Sequence, residues 1–226
     1  LLNTGSEIAR STRRLLSTIA YRINGETTFA LEGSIFCAGA SVKWFQEKLQ
    51  FIRSPKDIGS LASNSDLNQE VYMVPAFTGL GAPWWDADAR AAFSGMTLDS
   101  GPKELARAIL ESVCYQTYDL LLAMRSDWQN DFETILRVDG GMASSDWTMQ
   151  CLSDILQTQI DRPVVIETSA FGAAWLAAST VGAWPKKEDF QQNWLCQKTF
   201  SPKMQIDRRD TKVAGWNDAI KRVLSQ

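Results

Sequence analysis

This sequence contains no histidine. That absence excludes Ser-His-Asp and Cys-His pairs and every His-ligated zinc site, and it leaves acid–base chemistry to Asp, Glu, Lys or Tyr. No apolar run is long enough to span a bilayer, and neither a signal peptide nor a membrane partner is expected. There is no Asn-x-Ser/Thr sequon, and Cys37, Cys114, Cys151 and Cys196 lie far apart with no Cys-x-x-Cys. Core thiols in a reduced, cytoplasmic compartment are expected, not metal ligands or nucleophiles. A P-loop is excluded because no G-x-x-x-x-G-K-[ST] occurs. Gly79-Leu80-Gly81 opens like a dinucleotide fingerprint, but Trp84 stands where the third glycine is needed, so a Rossmann reading fails. A net charge of −3 gives no nucleic-acid footprint.

What is present begins with a 45% apolar content, ample for a packed core. The most informative run is Arg137-Val138-Asp139-Gly140-Gly141-Met142-Ala143-Ser144-Ser145. An apolar strand over 135–138 ends in a double glycine, and Ser144 or Ser145 caps a helix expected from Asp146 to Gln157. Glycines at a strand-to-helix turn let a flat ligand approach the backbone. The helix start offers free N–H groups and a positive dipole end. A tight turn that binds nothing has the same sequence signature.

The rest of the chain reads as mixed α/β within one domain over residues 1–226, with no internal repeat, low-complexity tract or linker. Leu16–Ile23 and Thr27–Leu31 are expected to pair around Asn24-Gly25, a strong hairpin signal. Ala40–Phe51 is expected to be a short helix with Val42, Phe45 and Leu49 on one face, followed by a polar stretch of short helical pieces to Gln69. Val71–Pro75 and Ala91–Met96 read as strands. The longest helix starts with Ser100 as N-cap, Pro102 in the first turn and Glu104 near the third position, and runs to about Arg125. Val164–Ile166 is expected as a strand, Ala170–Val181 as an Ala/Gly-rich helix suited to close packing, and Thr211–Leu224 as a terminal amphipathic helix. Strand 135–138, helix 146–157 and strand 164–166 would make a βαβ unit. Ligands in open α/β sheets sit beyond the carboxyl ends of strands, which places Gly140 and Gly141 where a ligand would go.

Two further segments stand out. In Val74 to Arg90, the paired Trp84 and Trp85 either cover a sugar face or plug the edge of the core. Asp86, Asp88 and Arg90 form either a carboxylate cluster or an ion-paired loop. In Phe36 to Phe45, small residues open a helix, as ligand approach or plain capping would both require.

Together these segments resemble the C-terminal domain of the FGGY carbohydrate kinases. The resemblance runs from Leu1 to about Val223. It is carried by Leu2-Asn3-Thr4-Gly5, Ala30 to Phe36, Ala38-Gly39-Ala40-Ser41, Val74 to Asp86, Ala108 to Ser112, Tyr115-Gln116-Thr117, Leu136 to Gly141, Ser153 to Leu156 and Ala214-Gly215-Trp216, in order and spacing. Within the family, Val74 to Asp86 is most similar to glycerol kinases.

The resemblance implies an α/β, ribonuclease-H-like, actin-type ATPase domain with a mixed sheet flanked by helices. It implies ATP or ADP as ligand, with Mg²⁺, and glycerol held by the family's N-terminal domain. It matches Gly39 and Gly141 to positions that line the nucleotide, and sets Gly140, Met142 and Ala143 beside adenine and ribose. Lys43 and Ser145 stand at nucleotide-side positions where glycerol kinases usually carry glutamine and asparagine. A homo-oligomer is compatible with it. The family's Gly-Thr-Gly phosphate turn, polyol-binding residues and catalytic aspartate find no match here. No residue of this chain is therefore assigned as catalytic or as a metal ligand, and the isolated chain is expected to be inactive. A kinase for another polyol or sugar, such as xylulose or ribulose, and a non-catalytic regulatory relative are the alternatives. The polar, mildly basic stretch Ser201–Arg209, which matches a docking surface in some bacterial members, is expected to be a solvated loop.

Overall fold

In the computed structural model, which describes residues 1–128, 135–183 and 194–225, Asn24 and Gly25 both adopt left-handed φ values, +52° and +87°. That is the turn a two-residue hairpin needs. It joins β2 (Leu16–Ile23) to β3 (Glu26–Glu32), and β1 (Leu2–Gly5) pairs with the other edge of β3. The resulting antiparallel sheet has the order β1-β3-β2. A second antiparallel pair is β4 (Tyr72–Val74) with β5 (Ala92–Ser94). Helix α1 (Gly39–Trp44) passes into a π-helical turn, Phe45–Leu49, so the expected helix over this stretch is regular only in its first half. Ser54 caps a 3₁₀ turn (Pro55–Asp57) ahead of α2 (Ile58–Ser63).

Helix α3 (Pro102–Asp127) is capped at Gly101, not Ser100. The Glu104 carboxylate accepts the Gly101 N–H at 2.9 Å, while Ser100 Oγ donates to Gln69 at 2.6 Å. The helix is buried nearly all round and lies against β4 and α2. The terminal helix α6 (Ile206–Val223) begins one and a half turns earlier than its apolar face indicates, and buries Val213, Trp216 and Ile220. Tyr72, Tyr115 and Trp216 form one aromatic column, with centroids 6.0 and 5.2 Å apart.

The chain divides into two compact units, where the sequence reads as one domain. The first holds Leu1–Phe132 and Gln205–Gln226, and the second Glu133–Met204. In the second unit, β6 (Leu136–Arg137) runs parallel to β7 (Ile160–Pro163), and β8 (Cys196–Phe200) pairs antiparallel with β7. Helix α4 (Asp146–Leu156) links β6 to β7, so the βαβ order holds. Its second strand, however, precedes Pro163 and does not follow it: 164–166 lies outside the sheet. The buried Asp161 and Arg162 hid this strand, because their side chains break an apolar pattern while meeting partners inside. Asp161 accepts from Thr199 Oγ1 at 2.7 Å, and Arg162 donates to Ala143 O at 2.8 Å.

Among the described residues, helix α5 (Thr168–Thr180) buries only Trp175, and nothing lies within 4 Å of a Cβ added at Gly172. Residues 201–204 are not a free loop. The Lys203 and Met204 amides donate to Asp154 Oδ1 at 2.6 and 3.1 Å. In the first unit, Arg208 pairs with Glu70 and donates to Leu67 O at 2.7 Å. Cys37, Cys114 and Cys151 are buried and outside any disulfide, as expected, whereas Cys196 is exposed.

Candidate functional site

The double-glycine turn is built from β6 outward. Val138 N–H donates to Asp161 O at 3.1 Å, the last rung beside β7. Gly140 then takes φ +77° and ψ −179°, a conformation open essentially only to glycine. Its N–H donates to Ile166 O at 2.8 Å. A 3₁₀ turn, Gly141–Ser144, follows, closed by Ala143 N–H to Gly140 O at 3.1 Å. Ser145 caps α4: its Oγ accepts from Thr148 N at 3.2 Å and from Thr148 Oγ1 at 2.9 Å. Among the described residues no atom lies within 4 Å of a Cβ added at Gly140 or Gly141, so this backbone stands open to them on the side a Cβ would occupy.

The underside of this turn is held by charge. Arg162, buried, donates to Ala143 O and pairs with Asp146 Oδ1 at 2.8 Å, and Lys198 pairs with Asp146 Oδ2 at 2.6 Å. Lys198 and then Arg162 hold the Asp146 carboxyl below the usual carboxylate range. A negative side chain in the first turn of α4 also suits the helix dipole. Among the predicted nucleotide residues of this unit, Gly140, Gly141, Met142 and Ser145 line one turn, while Ala143 is its buried member. Asp139 sits one residue earlier and accepts from Thr168 Oγ1.

In the first unit, Gly39 opens α1 and is exposed, with nothing among the described residues within 4 Å of an added Cβ. Ser41 Oγ, one turn in, is buried and has no hydrogen-bond partner among the described residues. Lys43 lies on the exposed face of the same helix, and its ammonium is 3.7 Å from Glu47, a loose solvent-screened pair.

The aromatic segment sets one indole at the edge of the core and leaves the other at the surface. Trp84 is half-buried and Trp85 exposed. Asp86, Asp88 and Arg90 form no ion pair among the described residues. Asp86 Oδ1 instead accepts from Asp88 N and Ala89 N, each at 3.0 Å, and Arg90 donates to Ala87 O and Ala89 O at 2.8 Å. The ion-paired loop is thus a hydrogen-bonded turn. The Ser225 amide and hydroxyl complete it at 2.7 and 2.8 Å, and they push the Asp86 carboxyl below its usual value.

Asp119 is a residue the sequence did not mark. It is buried and accepts Trp216 Nε1 at 2.9 Å and Trp84 Nε1 at 3.4 Å, both on Oδ2. Burial pushes its carboxyl up to about 6, against the lowering effect of the two indole bonds.

Residues 3–181 match the model of the FGGY family of carbohydrate kinases, C-terminal domain. A glycerol kinase of Sinorhizobium fredii is 60% identical over 225 residues, which is 99% of this chain and 45% of that protein. A glycerol kinase of Rhizobium meliloti is 58% identical, with the same two shares. The crystal structure of Plasmodium falciparum glycerol kinase with ADP superposes with a TM-score of 0.88 at 35% identity, covering 99% of this chain and 45% of that one. The chain belongs to the FGGY family of carbohydrate kinases and has the actin-type ATPase fold of its C-terminal domain. It spans about 45% of the length of these curated relatives.

Proposed function

We propose that this chain is the nucleotide-binding part of a glycerol kinase, which transfers the terminal phosphoryl group of ATP to glycerol. The observation that carries the reading is the open Gly140–Gly141 backbone beyond strand β6, in a chain 60% identical to a glycerol kinase along nearly all its length. In this reading Gly140, Gly141, Met142, Ala143 and Ser145 serve the adenosine, and Gly39 and Lys43 are further nucleotide-contact candidates. The two glycines admit the flat base and ribose to the backbone. Ser145 keeps the α4 cap, as an asparagine there would.

Each protein group in this reading binds or orients; none is assigned a proton or the attacking oxygen. Among the described residues, no group of three or more Asp, Glu, His or Cys side chains is arranged to hold a metal ion. In this reading Mg²⁺ enters as the partner of the ATP phosphates, and no residue of this chain is assigned to it. Phosphoryl transfer needs positioned phosphates, Mg²⁺ and an oriented nucleophile together. The reading places the polyol and its base in the part of the relatives that this chain does not match, and the chain alone should turn over no glycerol.

Fusion of the amino-terminal part of the Sinorhizobium fredii relative to this chain tests the reading. The expected result is ATP-dependent phosphorylation of glycerol, and none of xylulose or ribulose. A folded chimera without glycerol phosphorylation would contradict it.

A further inference from the structure

Loop 79–89 closes on itself. Leu80 N–H donates to Asp86 O at 2.8 Å, Asp86 N–H returns to Leu80 O at 3.1 Å, and the Trp84 and Trp85 amides both donate to Gly81 O. These bonds shape the loop but do not place it. Trp85 even sits at φ +50°, a left-handed conformation that a bulky residue holds only under external constraint. The constraints come from four places. Ala82 N–H donates to Ser34 O at 3.1 Å. Arg14 Nη1 donates to Trp84 O at 3.0 Å, and Trp85 Nε1 returns to Arg14 O at 2.7 Å. Trp84 Nε1 reaches Asp119, and Ser225 clamps Asp86.

The last two anchors are both tied to the C-terminal helix, one through Trp216 and one through the residue after its cap. Asp119 stands on α3, but the shorter of its indole bonds comes from Trp216 of α6. Trp216 is fully buried and stacks on Tyr115, so it cannot follow the loop if the loop moves. Ser225 follows directly on the end of α6 and donates twice to Asp86. The loop in turn presents an edge-to-face pair on the surface: Phe36 and Trp85, with centroids 6.0 Å apart and exposures of 44% and 42%.

We propose that α6 is a strut that sets the position of loop 79–89, with Asp119 as the positioning residue between them, so that the Phe36–Trp85 surface is ordered only while the end of α6 is docked. The physical reason is that Asp119 Oδ2 serves two donors at once. Loss of Trp216 as donor leaves a buried carboxylate with only the longer Trp84 bond, and the group then gains by drawing in water or moving the loop. The inference does not rest on the nucleotide reading.

Amide hydrogen exchange of the 226-residue chain, read by peptide, tests it. Trp216→Phe keeps the buried ring and removes the donor. It should raise exchange at residues 79–89 by about fivefold to tenfold, the equivalent of one net hydrogen bond, and leave the β2–β3 hairpin at its parent rate. Asp119→Asn keeps an acceptor and should stay near the parent rate at 79–89. A chain ending at Leu224 removes the Ser225 clamp together with Gln226 and should loosen the same residues. Unchanged exchange at 79–89 in Trp216→Phe would overturn the proposal. So would a rise spread evenly over the hairpin and α3, the signature of a residue that serves only the core.

Discussion

The Lys212 ammonium lies 2.9 Å from Glu111 Oε1, with both side chains only 5% exposed. The pair joins α6 to α3 in the interior of the first unit. Tyr115 donates to the other Glu111 oxygen at 3.1 Å, and Glu70 stands 3.8 Å from the same ammonium. Arg107, also buried, is 3.9 Å from Glu111. A buried pair of this kind adds little net stability over an apolar pair, but removal of one partner strands the other. Lys212→Met should therefore cost about 3 kcal/mol in urea unfolding. Lys212→Met combined with Glu111→Gln should recover part of that loss. Additive losses in the double variant would contradict the coupling.

Asp119 gives the first unit a distinct pH signature. Its carboxyl is pushed up to about 6 from 3.8. Between those values the folded chain holds a proton that the unfolded chain has released, so this group's contribution to stability falls as pH rises through the window. The loss is on the order of 2 kcal/mol above pH 6. Asp119→Asn has no such proton. Its stability relative to the parent should rise between pH 4 and 6 and then level off. Parallel pH–stability curves for the two proteins would refute the assignment.

Gly215 lets α6 pack directly on Tyr72 of β4. A Cβ there would overlap the hydroxyl and ring of Tyr72, which is buried against Tyr115. Gly215→Ala should destabilise by about 2–3 kcal/mol, an overpacking cost, despite the better helix propensity of alanine. Tyr72→Phe should relieve only part of it, because the ring carbons also collide. A neutral or stabilising Gly215→Ala by thermal unfolding would show that α6 sits further out.

The legible parts of this fold are those where local chemistry and burial agree. Asn24-Gly25 announced its hairpin, and Ser145 its helix, because each signal is satisfied within a few residues of chain. Strand 160–163 was missed because Asp161 and Arg162 find their partners on β8 and in the 141–144 turn, which no local pattern shows. The buried Arg107, Glu111 and Lys212 were hidden for the same reason: a charge on a helix reads as solvent-facing until a distant opposite charge is known. Asp119 looked like an ordinary polar position of α3, although its two donors lie 35 and 97 residues away. The open glycine turn at 140–141 was legible because a strand, a glycine pair and a cap are consecutive in sequence.

At Gly140 the turn itself can be tested. Alanine cannot hold φ +77° with ψ −179° without strain of about 1–3 kcal/mol. Gly140→Ala should lower the stability of the second unit by that amount, measured by amide exchange in α4 and β7. Gly141→Ala, in a right-handed 3₁₀ turn, should be nearly silent.

In the proposed reading the Gly140–Ser145 turn contacts the nucleotide. Titration of the ¹⁵N-labelled chain with Mg·ATP tests it most directly. Affinity should be weak, about millimolar for the few contacts one domain offers. The predicted result is amide shifts concentrated at residues 139–145 and 39–43, abolished by Gly141→Val while the spectrum of the rest of the chain is unchanged. Shifts scattered elsewhere, no shifts at saturation, or shifts that survive Gly141→Val would contradict the claim.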